Sequence, residues 1–178
     1  RGFEGRHADL GGAPIHYRNT IFVIETGGLK ICHPGDNGPV TDSLRAAIGP
    51  VDILFLPVDS EHRVLTDEQA QRWIDALSPR LVIPMHYSVP GVSLQSVTNL
   101  GTVDEWVALQ KFFTRLPSDS LALDPAALPP PGVAQTLIFT LPGEKPGQRG
   151  APLAAFFAVG AGRRFPFGHL KVGLNAEL

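Results

Sequence analysis

Residues 51–58 constrain the fold more than any other part of the chain. Their sequence, Val-Asp-Ile-Leu-Phe-Leu-Pro-Val, is almost continuously apolar. A strand with one face in water alternates apolar and polar side chains, whereas a strand covered on both faces does not. The segment therefore predicts a buried strand in a sheet that has layers packed on both sides, which is the layered α/β or α+β class.

The neighbouring segments supply further strands and helices for such layers. Residues 20–25 and 29–33 are apolar or alternating runs on either side of two glycines, which predicts a hairpin. Residues 66–77 repeat apolar side chains at helical spacing behind Thr66, which predicts a capped amphipathic helix. The other predicted elements are a helix at 41–48 capped by Thr41 or Asp42, a buried strand at 81–84, a helix at 103–116 with Trp106, Leu109, Phe112 and Phe113 on one face, and a strand at 136–141.

The length of 178 residues suits one domain with a core of its own. We predict that this layered domain spans residues 1–142. Residues 143–178 contain Gly, Pro and Arg with short apolar pieces but no clear period. This composition predicts a loosely ordered tail.

Charge and cysteine content exclude several classes of function. The net charge is −2 and no basic stripe is present, so nucleic acid is not an expected partner. The single cysteine, Cys32, excludes an intramolecular disulfide and a thiolate-rich zinc site, and it fits the cytoplasm. No apolar run is long enough for a membrane helix. We therefore expect a small-molecule substrate as the partner and leave a homo-oligomer open.

Two polar residues follow predicted strands at positions where chemistry is usually found. Asp36 lies in a Pro-Gly-Asp-Asn-Gly turn after the strand at 29–33, and His86 follows the strand at 81–84. In α/β sheets, ligands gather at the carboxyl ends of the strands. Imidazole nitrogen and carboxylate oxygen are the donors of a catalytic zinc or a similar divalent ion. The pattern indicates a metal site.

Each of these residues also has a structural interpretation. An aspartate in a turn more often caps a backbone N–H than binds a metal. A histidine at a strand end is more often simply hydrogen-bonded. His33 could face a substrate, or it could pack beside Cys32, and the residues alone do not decide between these alternatives.

Four blocks in the sequence resemble the second half of the metallo-β-lactamase fold. They are Asn-Thr-Ile-Phe-Val-Ile-Glu at 19–25, Gly-Leu-Lys-Ile-Cys-His-Pro-Gly-Asp at 28–36, Gly-Pro-Val-Asp-Ile-Leu-Phe-Leu-Pro-Val at 49–58 and Val-Ile-Pro-Met-His-Tyr at 82–87. Within that superfamily they resemble the branch of ascorbate-6-phosphate lactonase-like proteins. The resemblance covers about residues 5–141. It implies the C-terminal half of an αββα sandwich with a two-metal site at one edge.

The resemblance also implies roles for individual residues. Asp36 matches the ligand that bridges two metals and orients the attacking hydroxide, and His86 matches the final histidine ligand. His7 matches the middle histidine by its spacing to Asp36, which makes His7, Asp36 and His86 the implied ligand set. His33 and Tyr87 would stand around these ligands as second-shell groups. The implied cofactor is two zinc ions, with manganese or iron as alternatives.

The implied activity is metal-dependent hydrolysis, in which a metal-activated water attacks a lactone, a phosphodiester or a related ester or amide. The superfamily's His-x-His-x-Asp-His motif does not occur in this sequence. We expect it upstream of residue 1, so that this chain would be a fragment and inactive alone. The alternative is a degenerate, non-catalytic domain with weak or no metal binding.

A half-fold predicts an uncovered sheet face as well, and hence a marginally stable, aggregation-prone or dimeric chain. The residues expected on that inner face are Ile21, Val23, Ile53, Phe55 and Val82.

Overall fold

The computed structural model describes residues 1–9, 13–59, 63–89, 100–140 and 171–173. Seven strands form one sheet in the order β1-β2-β3-β4-β5-β8-β6. Their bounds are Gly2–Asp9 (β1), Ala13–Thr26 (β2), Leu29–His33 (β3), Ile53–Pro57 (β4), Leu81–Met85 (β5), Phe113–Arg115 (β6) and Gln135–Ile138 (β8). The helices are Asp42–Ile48 (α1), Asp67–Leu77 (α2) and Val103–Ala108 (α3), with a short 3-10 helix at Pro125–Ala127. The layered α/β class is confirmed.

Strand directions bring the ends of several strands, among them β1, β3, β4 and β5, to one side of the sheet. β1, β2 and β3 are antiparallel neighbours, whereas β3, β4, β5 and β8 run parallel to one another. β1 therefore runs in the same direction as β3, β4 and β5. We call the side where these four strands end the carboxyl edge. Loops that follow β3, β4 and β5 must meet there.

The hairpin predicted around the two glycines is confirmed. β2 and β3 pair antiparallel with Thr26 opposite Leu29, and Gly27 and Gly28 turn the chain with φ of 57° and 77°. Two consecutive positive φ values are the requirement of the tight hairpin turn, and glycine meets it without steric cost. β2 extends further towards the N-terminus than predicted because its first half pairs with β1.

The sheet is covered on both faces, each by a separate apolar cluster. The helix-side cluster lies under α1, α2 and α3, and its α2 contribution is the predicted stripe of Ala70, Trp73, Ile74 and Leu77. The opposite cluster contains Ile31, Ile53, Ile83, Leu137 and Phe139 together with Leu128 from the chain after the 3-10 helix.

The prediction of which residues lie on an uncovered sheet face was wrong. Ile21, Val23, Ile53 and Val82 are all buried, and they do not share a face. The period of two along each strand sends Ile53 to the cluster opposite the helices, while the other three lie under the helices. Exposed apolar side chains do occur on β2, where Phe22 and Ile24 are 54% and 49% exposed.

The helix predicted at 103–116 was wrong in its second half. α3 ends at Ala108, and residues 113–115 form β6, which pairs in parallel with β8. Leu109 and Phe112, expected on a buried helix face, are 61% and 46% exposed. The Phe-Phe-Thr sequence favours a strand, and parallel pairing beside β8 satisfies the backbone there, for instance through Thr136 N–H donating to Phe112 O at 2.9 Å.

Most of the predicted tail at 143–178 lies outside the described residues. The exception is Lys171–Gly173 (β9), which pairs antiparallel with Ser120–Ala122 (β7).

The helices in the described part of the chain have at most 11 residues, and none is long and apolar enough to cross a membrane.

Two threonine N-caps give a matched test of local helix stability. The Thr66 hydroxyl accepts a hydrogen bond from Gln69 N–H at 3.3 Å, and Gln69 Oε1 accepts one from Thr66 N–H, which is a complete capping box. Thr102 holds the same position at α3 without a side-chain cap bond. We expect Thr66→Ala to lower the free energy of unfolding by about 1 kcal/mol. Thr102→Ala should cost clearly less in the same urea titration, and equal losses would contradict the role of the box.

Candidate metal centre

Asp36 is placed at the carboxyl edge by the loop that follows β3. Gly35 adopts a φ of 60°, which turns the chain sharply after Pro34. Asn19 Nδ2 on β2 donates to Pro34 O at 2.6 Å, and Ala8 N–H on β1 donates to Asp36 O at 2.9 Å. The loop is thus tied to both β1 and β2, which fixes the backbone from which the Asp36 carboxylate projects.

Asn37, the residue after Asp36, holds the same loop through hydrogen bonds. Asn37 is buried; its Oδ1 accepts from Asn19 Nδ2 at 3.0 Å and its Nδ2 donates to Gly38 O at 3.0 Å. Trp73 Nε1 on α2 donates to the same Gly38 carbonyl at 3.1 Å. Because buried polar groups need their partners, this network ties the position of Asp36 to the helix-side core.

A glycine on β1 makes room for this network and gives a test of it. A Cβ added at Gly5 would lie 1.9 Å from Asn37 Oδ1. We expect Gly5→Ala to force Asn37 and the Asp36 loop to move, with a loss of about 1–3 kcal/mol in the free energy of unfolding. The control is Gly2→Ala on the same strand, whose Cβ would meet only Thr20 Cγ2 at 3.3 Å. If both variants unfolded at the same urea concentration, Asn37 would not be fixed as described.

Two histidines approach the same edge from different strands. His7 lies near the end of β1, where a register shift between Arg6 and Ala8 interrupts the pairing with β2, and its backbone forms an isolated bridge with Asn37. His86 directly follows β5 and adopts a φ of 60°. That left-handed backbone is uncommon for residues other than glycine, and it frequently marks functional positions.

The structure brings together all three side chains that the resemblance implied as ligands. His7 Nε2 lies 3.6 Å from Asp36 Oδ2, and His86 Nε2 lies 3.8 Å from the same oxygen. Both separations are too long for a hydrogen bond. Two imidazole nitrogens therefore face one carboxylate oxygen without bonding to it.

These separations suit a shared ion. Ligands of a tetrahedral zinc stand about 2.0–2.2 Å from the metal, and hence about 3.4 Å from one another. Among the described residues, no group of three or more His, Cys, Asp or Glu side chains is arranged so that it could hold a metal ion without movement. The nitrogen-to-oxygen distances exceed the ideal ligand spacing by only a few tenths of an ångström. Small rotations of the three side chains would bring their nitrogen and oxygen atoms to the ligand spacing. The residues present therefore fit a metal.

A fourth side chain, which the sequence analysis missed, completes the cluster. Asp59 follows β4 at the carboxyl edge and is 3% exposed. Its Oδ2 lies 3.4 Å from His86 Nδ1, and its Oδ1 accepts from Arg63 N–H at 2.9 Å. Asp59 Oδ2 and His86 Nδ1 are both buried, and among the described residues neither makes a hydrogen bond of normal geometry. The sequence signal was its place directly after the apolar segment 51–58, since ligands gather at the carboxyl ends of strands.

The two groups shift each other's pKa. Burial alone would raise the pKa of Asp59, but the neighbouring imidazole of His86 and the backbone N–H groups of Arg63 and Val64 outweigh burial and lower it. Burial alone would lower the pKa of His86, but the carboxylates of Asp59 and Asp36 outweigh burial and raise it. Asp59 is therefore a buried carboxylate ion whose main side-chain partner is the imidazole of His86.

His33 and Tyr87 are the two residues that the resemblance implied as second-shell groups. His33 Nδ1 accepts from Gly35 N–H at 3.2 Å, and its ring lies 5.2 Å from that of Phe55. Burial lowers the pKa of His33, so the ring is neutral near pH 7. Tyr87 packs against the helix-side cluster. Cys32 is fully buried, and burial raises the pKa of its thiol to about 12, which fits the role of a small apolar side chain.

Known proteins resemble this chain in sequence and in fold. Residues 1–86 match the family model described as the Beta-lactamase superfamily domain, a range that contains His7, Asp36, Asp59 and His86. A solved structure from Thermotoga maritima, described as a candidate Zn-dependent hydrolase of the metallo-β-lactamase superfamily, superposes with a TM-score of 0.58 at 26% identity, over 79% of this chain and 64% of that one. The chain has the fold of the metallo-β-lactamase superfamily.

Curated relatives match a shorter part of the chain. A metal-dependent hydrolase from Thermococcus onnurineus (strain NA1) is 38% identical over 69 residues, which is 38% of this chain and 30% of the relative. A metal-dependent hydrolase from Methanosarcina mazei is 29% identical over 103 residues, or 57% of this chain and 44% of the relative. The chain thus spans less than half the length of these two relatives.

Proposed function

We propose that this chain carries part of the active site of a metal-dependent hydrolase, in which His7, Asp36 and His86 hold a divalent metal ion. The observation that supports this most strongly is the convergence of two imidazole nitrogens on one oxygen of Asp36, at 3.6 and 3.8 Å. Neutral imidazole and carboxylate are the donor types that zinc, manganese and iron share in proteins. The relatives named above are described as metal-dependent hydrolases, which agrees with the proposal.

Each residue would have a distinct task. A bound metal would lower the pKa of a water molecule and polarise the bond to be cleaved. His7 and His86 would present Nε2 lone pairs as neutral rings. Asp36 would supply a negative oxygen between them and would act as the bridging ligand if two ions were bound. His33, whose Nδ1 accepts the Gly35 N–H, carries its own hydrogen on Nε2 and could donate it to a substrate oxygen.

The substrate class we propose is a lactone, a phosphodiester or a related ester or amide. A lactone is the choice that follows from the resemblance to the ascorbate-6-phosphate lactonase-like branch. The three donors identified among the described residues suffice for one ion, whereas the resemblance implies two, for which zinc is our first choice. We therefore expect the 178 residues alone to bind metal without turnover.

The test compares this chain with a polypeptide extended upstream to the length of the relatives. Each would be loaded with zinc or manganese, dialysed and assayed for bound metal and for hydrolysis of a lactone and an aryl phosphodiester. We expect bound metal in both and chelator-sensitive turnover in the longer polypeptide only. Neither metal nor turnover in either polypeptide would refute the hydrolase and favour the degenerate, non-catalytic alternative.

A further inference from the structure

We propose that Asp59 is a positioning residue, which fixes the tautomer and orientation of His86 so that Nε2 faces Asp36 with a free lone pair. This inference rests on the proposed function, since it concerns the ligand His86. The two ring nitrogens of His86 face two different carboxylates: Nδ1 lies 3.4 Å from Asp59 Oδ2, and Nε2 lies 3.8 Å from Asp36 Oδ2. Asp59 thus faces the ring nitrogen of His86 that is not directed at Asp36.

Burial makes the contact between Asp59 and His86 obligatory. The side chain of Asp59 is 0% exposed, and Nδ1 of His86 is also buried. Within the described part of the chain neither Asp59 Oδ2 nor His86 Nδ1 makes a hydrogen bond of normal geometry, and the contact between them is the ion pair at 3.4 Å. An unpaired buried carboxylate oxygen is costly, so the neutral ring will carry its hydrogen on Nδ1 and direct it to Asp59. With its hydrogen on Nδ1, the neutral ring keeps a free lone pair on Nε2, and that lone pair can bind a metal.

The backbone holds Asp59 in the orientation that this requires. Its Oδ1 accepts from the N–H of Arg63, at 2.9 Å, which directs Oδ2 towards His86. The direction in which the ring of His86 projects depends in turn on the left-handed backbone of that residue, at a φ of 60°. Carboxylates that accept a hydrogen bond from a metal-binding imidazole fix its tautomer and make it a better donor, and their loss typically costs 10–100-fold in metal affinity.

Asp59→Asn separates positioning from a merely structural role. The amide oxygen would keep the bond from Arg63 N–H, because the opposite orientation would place two donors face to face. The amide NH₂ would then point at His86 Nδ1, which must become the acceptor. The ring hydrogen would move to Nε2 and block the metal-binding lone pair. The variant should therefore fold and yet bind metal poorly.

The matched control is Asp52→Asn. Asp52 is a partly buried carboxylate; it accepts from Lys30 N–H at 2.8 Å and lies 3.5 Å from Arg80. It precedes β4, at the opposite end of the strand from Asp59. Its substitution removes the same charge and tests for general loosening of the fold without touching His86.

The experiment has two readouts on the 178-residue chain. Long-range ¹H–¹⁵N NMR of the metal-free chain, at an alkaline pH where the ring is neutral, reports which nitrogen of His86 carries hydrogen. Competition with a chelator reports the zinc affinity. We expect hydrogen on Nδ1 in the unmodified chain and in Asp52→Asn, and on Nε2 in Asp59→Asn. Zinc affinity should fall about 10–100-fold in Asp59→Asn only, with its melting temperature close to that of the unmodified chain.

Two results would overturn the proposal. One is hydrogen on Nε2 of His86 in the unmodified chain. The other is a zinc affinity that is unchanged in Asp59→Asn or that falls equally in both variants. If neither the unmodified chain nor the polypeptide extended upstream shows bound metal or turnover, the proposed function fails, whereas the NMR readout still decides whether Asp59 sets the tautomer. The two failures are therefore distinguishable.

Discussion

Asp36→Ala is expected to reduce the zinc affinity of the chain by more than about 100-fold, because outer partners of a ligand alone account for 10–100-fold. Asp36 supplies the single oxygen that both Nε2 atoms face, at 3.6 Å from His7 and 3.8 Å from His86. Without it, two neutral imidazoles remain with no negative donor between them. Competition with a chromophoric chelator would measure the change.

The control for this substitution is Asp75→Ala. Asp75 is an exposed aspartate on α2 that accepts from Gln71 Nε2 at 2.9 Å. Its loss removes the same charge at a distance from the carboxyl edge, so zinc affinity should stay within about twofold, as is usual for surface substitutions. Equal affinities in Asp36→Ala and the unmodified chain would show that the ion, if bound, is held elsewhere.

Trp73→Ala is expected to cost about 3–5 kcal/mol in the free energy of unfolding. Trp73 is fully buried in the helix-side cluster and is the largest side chain of the α2 stripe. Its removal would leave a cavity between α2 and the sheet and would take away the Nε1 bond to Gly38 O in the Asp36 loop. A urea titration followed by circular dichroism would measure the loss.

A milder pair of variants isolates the hydrogen bond, and it applies even if Trp73→Ala does not fold. Trp73→Phe keeps most of the ring volume but removes the donor to Gly38 O. Trp106→Phe makes the same change at a second buried tryptophan, whose Nε1 has no hydrogen-bond partner among the described residues. Trp73→Phe should therefore destabilise the chain more than Trp106→Phe, and it alone should weaken zinc binding. The reverse order would contradict the link between α2 and the Asp36 loop.

The positions of the proposed ligands were easier to predict from the sequence than those of the groups around them. Asp36 and His86 each follow a strongly apolar strand, so their place at the carboxyl edge follows from the direction of the parallel strands. His7 was identified through the resemblance, because β1 is a polar, glycine-containing edge strand with little signal of its own. Asp59 was missed although it also follows an apolar strand, since a lone aspartate in a loop usually caps a backbone N–H. It does so here, with Arg63.

The errors in the fold have a common physical origin. β1 and β6 are edge strands stabilised by pairing with β2 and β8, and the local sequence pattern of β1 or β6 cannot show that pairing. Residues 103–116 carry apolar side chains at helical spacing, yet pairing of Phe113 opposite Thr136 outweighs that local preference. The elements predicted well, α2 above all, are those whose caps and apolar stripe lie within one short segment.

X-ray absorption at the zinc edge of the loaded chain tests the central claim most directly, because outer-shell scattering counts the imidazoles around the ion. His7, Asp36 and His86 predict two imidazole nitrogens and at least one oxygen at about 2.0–2.2 Å. His7→Ala and His86→Ala should each remove one imidazole from the count, whereas His33→Ala should remove none. Zinc that is lost on dialysis of the unmodified chain, or an imidazole count unchanged in His7→Ala and His86→Ala, would contradict the proposed metal centre.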